Sequence, residues 1–312
     1  MTYNEQHVLR YQHLLPPRIR RYLNGRGIPD TAIEQFKLGW NGRRITIPVY
    51  NQDGQFAFFR LARDPDASGP EPKMVSTFGS RATLYGWDRV LDEPGEIVIC
   101  EGEFDRLVLE SKGFPAVTST AGAATFPSAW ARYFLDIPYV YICLDLDEAG
   151  RLGEQRIAKS IPHARIVRLP LQLGLGGDVT DFFVGLQRTR EDFRRLLDRA
   201  QSFAPNELGA PATFARPFQH APAPSDDVAL VKSRTSLEWL AGHYVTLHRS
   251  GRNFIGRCPF HSDNTPSFVV YPDTRSFHCF GCRCSGDCIS LLMRAEQLSF
   301  PEALTVLKRL AS

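Results

Sequence analysis

Two hydrophobic runs in the first two thirds of the chain end directly on acidic residues. The run Tyr139–Cys143 leads to Asp145 and Asp147, and residues 97–100 lead to Glu101. Short apolar runs without alternation, bounded by proline or turn residues, are typical of buried parallel strands. A helical pattern follows each run, so we predict strand–helix units around a parallel sheet of the α/β class.

The same part of the chain carries further elements of this kind. Amphipathic spacing predicts a helix over residues 106–112 and another over 189–200. Short apolar runs at 116–118 and 164–169 predict a third and a fourth strand. We assign these elements to one α/β domain over residues 96–204.

The N-terminal part of the chain predicts a different, α+β arrangement. Residues 1–38 show helical patterning, whereas 43–61 contain two apolar runs around the turn 51–54 and predict a β-hairpin. We expect a long polar loop over 62–80, because this stretch carries three prolines. Residues 1–95 are assigned to this N-terminal subdomain.

The last third of the chain predicts a linker and a small separate domain. Residues 205–227 are rich in proline and alanine and show no periodicity, which is typical of an extended linker. Beyond it, two runs at 267–271 and 276–278 flank a Pro-Asp turn and predict a second hairpin. We therefore expect a domain over 228–312.

Composition and charge limit the classes of protein to which the chain can belong. The 312 residues are 43% hydrophobic and 23% charged, as in ordinary globular chains, and no apolar run is long enough to cross a membrane. The N-terminus carries no apolar signal region, so we expect a cytosolic protein. The net charge is only +3, but residues 228–312 hold 10 Lys and Arg against 6 Asp and Glu. The basic excess therefore lies in the C-terminal domain.

The acids behind the predicted strands have the spacing of a metal site. Asp145 and Asp147 are two positions apart on an extended segment, so both carboxylates point to the same side. They follow the carboxyl end of a strand, where ligands bind in open α/β sheets. With Glu101, Asp105 and Asp178 near other strand ends, they predict a Mg²⁺ or Mn²⁺ site suited to phosphoryl transfer. The alternative role of Asp147 is a helix N-cap.

The C-terminal domain contains two pairs of metal-ligating residues with matched internal spacing. Cys258 and His261 form the first pair, and Cys279 and Cys282 form the second, with seventeen residues between the pairs. Three thiolates and one imidazole at this spacing predict a closed structural zinc site. A domain this small also needs such a brace. The two remaining thiols of this stretch are alternative ligands: Cys284 and Cys288.

The segment EGEFD at 101–105, followed by DLDEAG at 145–150, resembles the toprim domain shared by DnaG-type primases, topoisomerases and some nucleases. The resemblance implies one shared site, with Glu101 as the catalytic or metal-proximal glutamate, Asp145 and Asp147 as catalytic metal ligands, and Asp105 and Asp178 as further acids. The family usually carries its last acids as D-x-D, whereas Asp181 lies three residues after Asp178. Asp181 could instead face solvent.

Residues 250–304 resemble the zinc-binding domain of DnaG-type bacterial primases almost residue for residue, and the predicted zinc pairs lie within them. This resemblance implies binding of a single-stranded template. The implied phosphate contacts are Arg252, Arg257 and Arg275, and the implied stacking platforms are Phe268, Tyr271 and Phe277. The alternative for these aromatic residues is a place in the core.

A looser resemblance to the start of the primase polymerase core covers the region between residues 27 and 86. It implies that basic residues line one side of the active cleft and hold template phosphates or the incoming triphosphate: Arg60, Lys73 and Arg81. The alternative is that these are exposed charges of the hairpin.

The resemblances together imply a DNA primase with the family's usual domain order reversed, the catalytic core first and the zinc domain last. The expected reaction is synthesis of short RNA primers on single-stranded DNA from ribonucleoside triphosphates, with one structural Zn²⁺ and catalytic Mg²⁺ or Mn²⁺. A replicative helicase is an expected partner, and the size suggests a plasmid, phage or other mobile element. The alternatives are a toprim-type DNA nuclease and a non-catalytic replication accessory that binds single-stranded DNA.

Overall fold

The computed structural model of the protein describes residues 3–122, 125–174, 176–202, 226–263 and 265–311. The chain divides into two compact units, Met1–Phe203 and Ala204–Ser312. Most of the predicted linker, residues 205–225, lies outside the described residues. Its predicted end at 227 is wrong, because a helix already begins at Asp226.

The first part of unit 1 combines three helices with an antiparallel sheet. The helices are α1 (Glu5–His13), α2 (Pro17–Gly25) and α3 (Asp30–Gln35). The strands are β1 (Gly39–Trp40), β2 (Arg44–Tyr50), β3 (Phe56–Arg63) and β4 (Met74–Ser76), in the spatial order β1-β2-β3-β4. This is the α+β arrangement that the sequence predicts.

Strands β2 and β3 form the predicted hairpin around residues 51–54. The Asn51 side chain closes the turn by accepting hydrogen bonds from the backbone N–H groups of Asp53 and Gln55 at 3.0 and 2.9 Å. The predicted loop over 62–80 is wrong in part, because it contains β4. This three-residue strand is hidden among prolines, and only its pairing with β3 reveals it.

The second part of unit 1 is a six-stranded mixed sheet with helices. Its strands are β5 (Leu84–Tyr85), β6 (Glu96–Cys100), β7 (Ala116–Ser119), β8 (Tyr139–Cys143), β9 (Arg165–Ile166) and β10 (Gln201–Ser202). Its helices are α4 (Trp87–Leu91), α5 (Glu103–Ser111), α6 (Glu148–Ser160) and α7 (Arg190–Asp198). The strand order is β10-β9-β8-β6-β7-β5.

The four central strands β6 to β9 run parallel, as predicted, and the edge strands β5 and β10 pair antiparallel. The apolar runs of β6 and β8 are buried on both faces; Ile99 and Ile142, for example, are 1% and 0% exposed. Two boundaries differ from the prediction. The strand predicted over 164–169 is only two residues long, and α5 begins three residues before the predicted start, directly after Gly102.

Unit 2 is a five-stranded antiparallel sheet flanked by four helices. The helices are α8 (Asp226–Arg234), α9 (Leu237–Tyr244), α10 (Cys288–Glu296) and α11 (Phe300–Ala311). The strands are β11 (His248–Ser250), β12 (Asn253–Gly256), β13 (Phe268–Tyr271), β14 (Ser276–Cys279) and β15 (Ser285–Gly286), paired in that order. Strands β13 and β14 form the predicted hairpin.

The core of unit 2 corrects one expectation. Phe268 and Phe277 are 0% and 1% exposed, and their rings stack with centroids 5.1 Å apart. They are therefore core residues and not stacking platforms for bases, whereas Tyr271 on the opposite face is half-buried. In both units, no helix of the described residues is long and apolar enough to span a membrane.

Candidate catalytic and zinc sites

The parallel pairing of β6 and β8 brings the predicted catalytic acids to one edge of the sheet. Cys100 pairs with Cys143, so Glu101 and Asp145 follow adjacent strand ends. The backbone N–H of Asp145 donates a hydrogen bond to the Glu101 carboxylate at 3.2 Å. The two acids, 44 positions apart in the chain, are thus direct neighbours.

Asp147 lies at the same edge and also takes the alternative role that its position allows. It is the N-cap of α6, and its carboxylate accepts a hydrogen bond from the N–H of Gly150 at 2.7 Å. A side chain at Gly150 would come within 2.2 Å of the Asp145 carbonyl oxygen, so only glycine lets the helix start this close to the strand end. The cap therefore fixes one carboxylate oxygen of Asp147 beside Asp145.

Asp105 and Asp178 form a second acidic pair, held by residues that the sequence analysis did not identify. The Asp105 carboxylate accepts hydrogen bonds from Thr180, from its N–H at 3.2 Å and from its hydroxyl at 2.8 Å. The Arg26 guanidinium lies 4.0 Å from the Asp178 carboxylate. The side chain of Asp181 is exposed, and its backbone N–H donates to Asp178 at 2.7 Å.

The acids at this edge are partly buried, Asp105 fully so, and they repel one another. Burial, followed by the charges of Glu101 and the other acids, raises the pKa of Asp145 to about 9. Burial and the neighbouring Asp178 raise the pKa of Asp105 to about 7. Burial also raises the pKa values of Glu101 and Asp178. A divalent cation bound here would lower these pKa values again, because it stabilises the charged carboxylate over the protonated acid.

The acidic edge is an open site and not a closed cage. No three of its acids place their ligand atoms within 4.8 Å of one another, whereas one Cys/His group among the described residues does. Mg²⁺ is usually held by one or two carboxylates together with water and substrate phosphates. The acids offer the carboxylate oxygens that Mg²⁺ binds, and a cation held here would take its remaining ligands from water or phosphate.

Arg60 connects the hairpin of the N-terminal part to this edge. Its guanidinium donates to the buried carboxylate of Glu103 on α5, two residues after Glu101, and to the hydroxyl of Ser76 at 3.0 Å. Lys73 and Arg81 are instead exposed, and no charged partner for either is found in the part of the chain that the structure describes. The three predicted basic residues therefore occupy two different environments.

In unit 2 the four predicted zinc ligands come together. Their ligand atoms lie within 4.8 Å of one another in the group Cys258, His261, Cys279 and Cys282. The sulfurs of Cys258 and Cys282 are 3.7 Å apart. Ligands about 2.3 Å from a tetrahedral ion are about 3.8 Å apart, so the donor set and its spacing fit Zn²⁺.

Backbone and side-chain contacts hold these ligands in place. The N–H of Cys282 points at the Cys279 sulfur from 3.4 Å, and the hydroxyl of Ser267 lies 3.2 Å from the same sulfur. A side chain at Gly281 would come within 2.6 Å of the His261 ring, so the second pair requires glycine here.

The remaining predicted residues of unit 2 lie outside this ligand group. Cys284 is buried with its sulfur 3.2 Å from that of Cys282, whereas Cys288 is buried at the start of α10. The three predicted phosphate contacts are all exposed: Arg252, Arg257 and Arg275. Phe280, which the sequence analysis missed, is 60% exposed and packs edge-on against His278.

Comparison with known families matches both units. A Toprim-like family model matches residues 98–183, and a CHC2 zinc finger model matches residues 223–312. The chain is 39% identical over 89 residues to the DNA primase of Halalkalibacterium halodurans and 42% identical over 89 residues to that of Geobacillus stearothermophilus. These matches cover 28% of this chain but only 15% and 14% of the relatives.

Solved structures show the same fold. The Aquifex aeolicus primase, with its zinc-binding and RNA polymerase domains, matches 76% of this chain and 66% of its own, at 20% identity and a TM-score of 0.54. A DNA primase domain from Pseudomonas aeruginosa matches 63% of this chain and 78% of its own, at 22% identity and a TM-score of 0.53. The protein thus has a toprim-like core and a zinc ribbon, and it resembles the DnaG-type primases.

Proposed function

We propose that this chain, with the Toprim-like domain and the CHC2 zinc finger of DnaG-type primases, synthesises short RNA primers on single-stranded DNA. The observation that carries the proposal is the acidic edge, where Glu101, Asp145 and Asp147 lie beside one another behind parallel strands. Buried acids of one sign at an open edge suit a cation-dependent reaction on phosphate.

In this proposal the acids have different roles in nucleotidyl transfer. Asp145 and Asp147, with Asp178, would hold Mg²⁺ or Mn²⁺ on the incoming ribonucleoside triphosphate; Asp105 is a further acid of the site. The cation, when bound, neutralises charge that develops on the phosphate oxygens. Glu101 would position the primer 3′-hydroxyl or accept its proton, a role that its raised pKa favours.

Basic residues would complete the cleft from the side of the N-terminal part. Lys73 and Arg81 are exposed and would bind the triphosphate or the template backbone. Arg60 forms an ion pair with Glu103 and would act as a fixed positive charge near the strand end. Arg26 would act as a second fixed positive charge beside Asp178.

The zinc domain would bind the template strand. Arg252, Arg257 and Arg275 would contact phosphates, and the half-exposed rings of Tyr271 and Phe280 would stack on bases. Zn²⁺ would be structural, because three sulfurs and one ring fill a tetrahedral site. A replicative helicase is a further proposed partner.

Primer synthesis on single-stranded DNA tests the proposal. Labelled ribonucleotides and Mg²⁺ or Mn²⁺ would be supplied to the wild type, Asp145→Ala and Cys279→Ala, with Asp136→Ala as a control at an exposed acid. We expect short products from the wild type and Asp136→Ala and none from Asp145→Ala. Loss of product in Cys279→Ala would show that primer synthesis requires the folded zinc domain.

The same preparations distinguish the alternatives. Metal-dependent cutting of plasmid DNA without primer synthesis would favour a nuclease. Binding of single-stranded DNA without either product would favour an accessory protein. Either result, across many templates and both metals, would overturn the proposal.

A further inference from the structure

A fifth thiol lies against the zinc ligands, and neither the ligand set nor the proposed function uses it. The Cys284 sulfur is 3.2 Å from the Cys282 sulfur, which is closer than unbonded sulfurs in van der Waals contact. Cys282 is exposed, whereas Cys284 is buried. The pair therefore joins an exposed cysteine to a buried one.

The local backbone holds the two sulfurs together. Cys282 and Cys284 lie in the loop between β14 and β15, where His278 pairs with Ser285. The N–H of Cys279 donates to the Cys284 carbonyl at 2.8 Å and closes this loop. Arg283 between the two cysteines has a positive φ of +61°, a left-handed conformation that turns the chain sharply. This turn lets residues two positions apart place their sulfurs side by side.

We propose that Cys282 and Cys284 form an oxidation-sensitive thiol pair, whose disulfide removes one ligand from the zinc site. An exposed thiolate beside a second thiol is the arrangement in which peroxides produce a disulfide. A disulfide has an S–S distance of about 2.05 Å, so the sulfurs need to approach by only about 1 Å. The inference does not depend on primer synthesis.

The chemistry is a two-electron oxidation by hydrogen peroxide. The Cys282 thiolate attacks one peroxide oxygen, which gives cysteine sulfenic acid and releases hydroxide. The Cys284 thiol then attacks the Cys282 sulfur, the S–S bond forms, and the sulfenic oxygen leaves as water with the thiol proton. Both sulfurs are oxidised by one electron each, and the peroxide is reduced.

Oxidation would open the zinc site. Once Cys282 is in a disulfide, only Cys258, His261 and Cys279 remain as strong donors, and a closed structural site needs four. Zn²⁺ would be released, and a dithiol reductant with added Zn²⁺ would restore the site. The zinc domain would thus respond to peroxide reversibly.

Peptide mapping tests the bond itself. Trypsin cuts after Arg283, so the peptides 276–283 and 284–294 stay joined only if a disulfide links them. We expect the joined pair after peroxide treatment of the zinc-loaded full chain, its loss on reduction, and its absence in Cys284→Ser. Fragmentation of the joined pair would assign the bond to Cys282 and Cys284. If the wild type gives only separate peptides while its thiols are oxidised, the proposal is wrong.

Zinc release tests the consequence. With a colorimetric zinc chelator, we expect peroxide to release zinc from the wild type roughly tenfold faster than from Cys284→Ser, because the variant lacks the resolving thiol. Cys288→Ala, which removes a buried thiol outside the ligand set, should behave as the wild type. Equal rates in the wild type and Cys284→Ser would overturn the proposal. Should Cys284→Ser fail to hold zinc before oxidation, the wild-type peptide map alone decides.

Discussion

The zinc site and the acidic edge of this chain are built in opposite ways. The zinc ligands come from a stretch of 25 residues, within loops attached to strand ends, and their donor atoms lie within 4.8 Å of one another. The acids of the sheet edge come from positions between 101 and 178, and the hydrophobic core of the sheet is complete without them. The four ligands of the first region have the spacing to share one ion, whereas in the second region burial and like charges oppose ionisation of the acids.

Removal of zinc gives the largest expected difference between the two units. Structural Zn²⁺ contributes roughly 10–16 kcal/mol in small domains, which exceeds the stability of a domain of this size. We expect Cys279→Ala to unfold unit 2 while unit 1 stays folded. Limited proteolysis and circular dichroism would measure this, with Cys288→Ala as the matched variant of a buried cysteine that is not a ligand. If unit 2 remained folded without zinc, the contrast would fail.

Asp145→Asn should separate activity from stability in unit 1. The amide cannot replace a carboxylate on Mg²⁺, so we expect primer synthesis to fall by roughly 100-fold or more. It also removes a carboxyl that must take up a proton when the chain folds, because its pKa is raised to about 9, so the melting temperature at pH 8 should rise. The exposed Asp136→Asn should change neither quantity. A lower melting temperature for Asp145→Asn would show that the charge at this position stabilises the fold.

Arg60 and Lys73 distinguish a fixed charge from a free one. Arg60→Ala would leave Glu103 buried and unpaired, which costs about 3–5 kcal/mol of unfolding free energy. Lys73→Ala removes an exposed charge and should change stability by less than about 0.5 kcal/mol while it weakens triphosphate binding. Urea denaturation and the KM for nucleotide would give the two values. Equal stability losses would contradict the assignment of their environments.

Thr180 provides a finer test of the acidic edge. Thr180→Val removes the hydroxyl donor to Asp105 and should cost about 1–3 kcal/mol, because one contact of a buried carboxyl is lost. Thr180→Ser keeps the donor and should recover most of this loss. Thermal unfolding of the three proteins would show whether the hydroxyl or only the residue's volume matters.

A last expected effect is a pH dependence of the stability of unit 1 that arises from the acidic edge. The pKa of Asp145 is raised to about 9 and that of Asp105 to about 7, so the folded state binds protons more tightly than the unfolded one. Stability without added Mg²⁺ should therefore be greatest near pH 4 to 5 and should fall as the pH rises towards 9. Added Mg²⁺ should reduce this fall, and Asp145→Asn should weaken it. A melting temperature of unit 1 that rises over this range would contradict the raised pKa values.

The sequence alone predicted the elements that depend on residues close together in the chain. The apolar runs before Glu101 and Asp145 predict parallel strands, and the spacing of Cys279 and Cys282 predicts a metal pair. The sequence did not predict contacts between segments that are far apart in the chain. Nothing near Thr180 or Arg26 indicates that they hold Asp105 and Asp178, because those pairs form only when the sheet has assembled.

The sequence also could not predict the shortest strand or which aromatic side chains are exposed. Strand β4 has three residues and is defined by its partner, so periodicity could not reveal it. Alternation along the predicted strands could not distinguish between a place in the core and a stacking platform for Phe268 and Phe277. The structure assigns both rings to the core and leaves Phe280, which lies beyond the strand, exposed.

The N-cap at the start of α6 joins a carboxylate of the acidic edge to a single backbone amide. Asp147 accepts its hydrogen bond from Gly150, 2.7 Å away. Any cation that draws electron density from this carboxylate weakens that bond, so the Gly150 amide resonance in a nitrogen–proton NMR spectrum should move as Mg²⁺ is titrated. Glycine amides resonate in a sparsely populated region of such spectra. The position of this one peak would thus report metal occupancy directly.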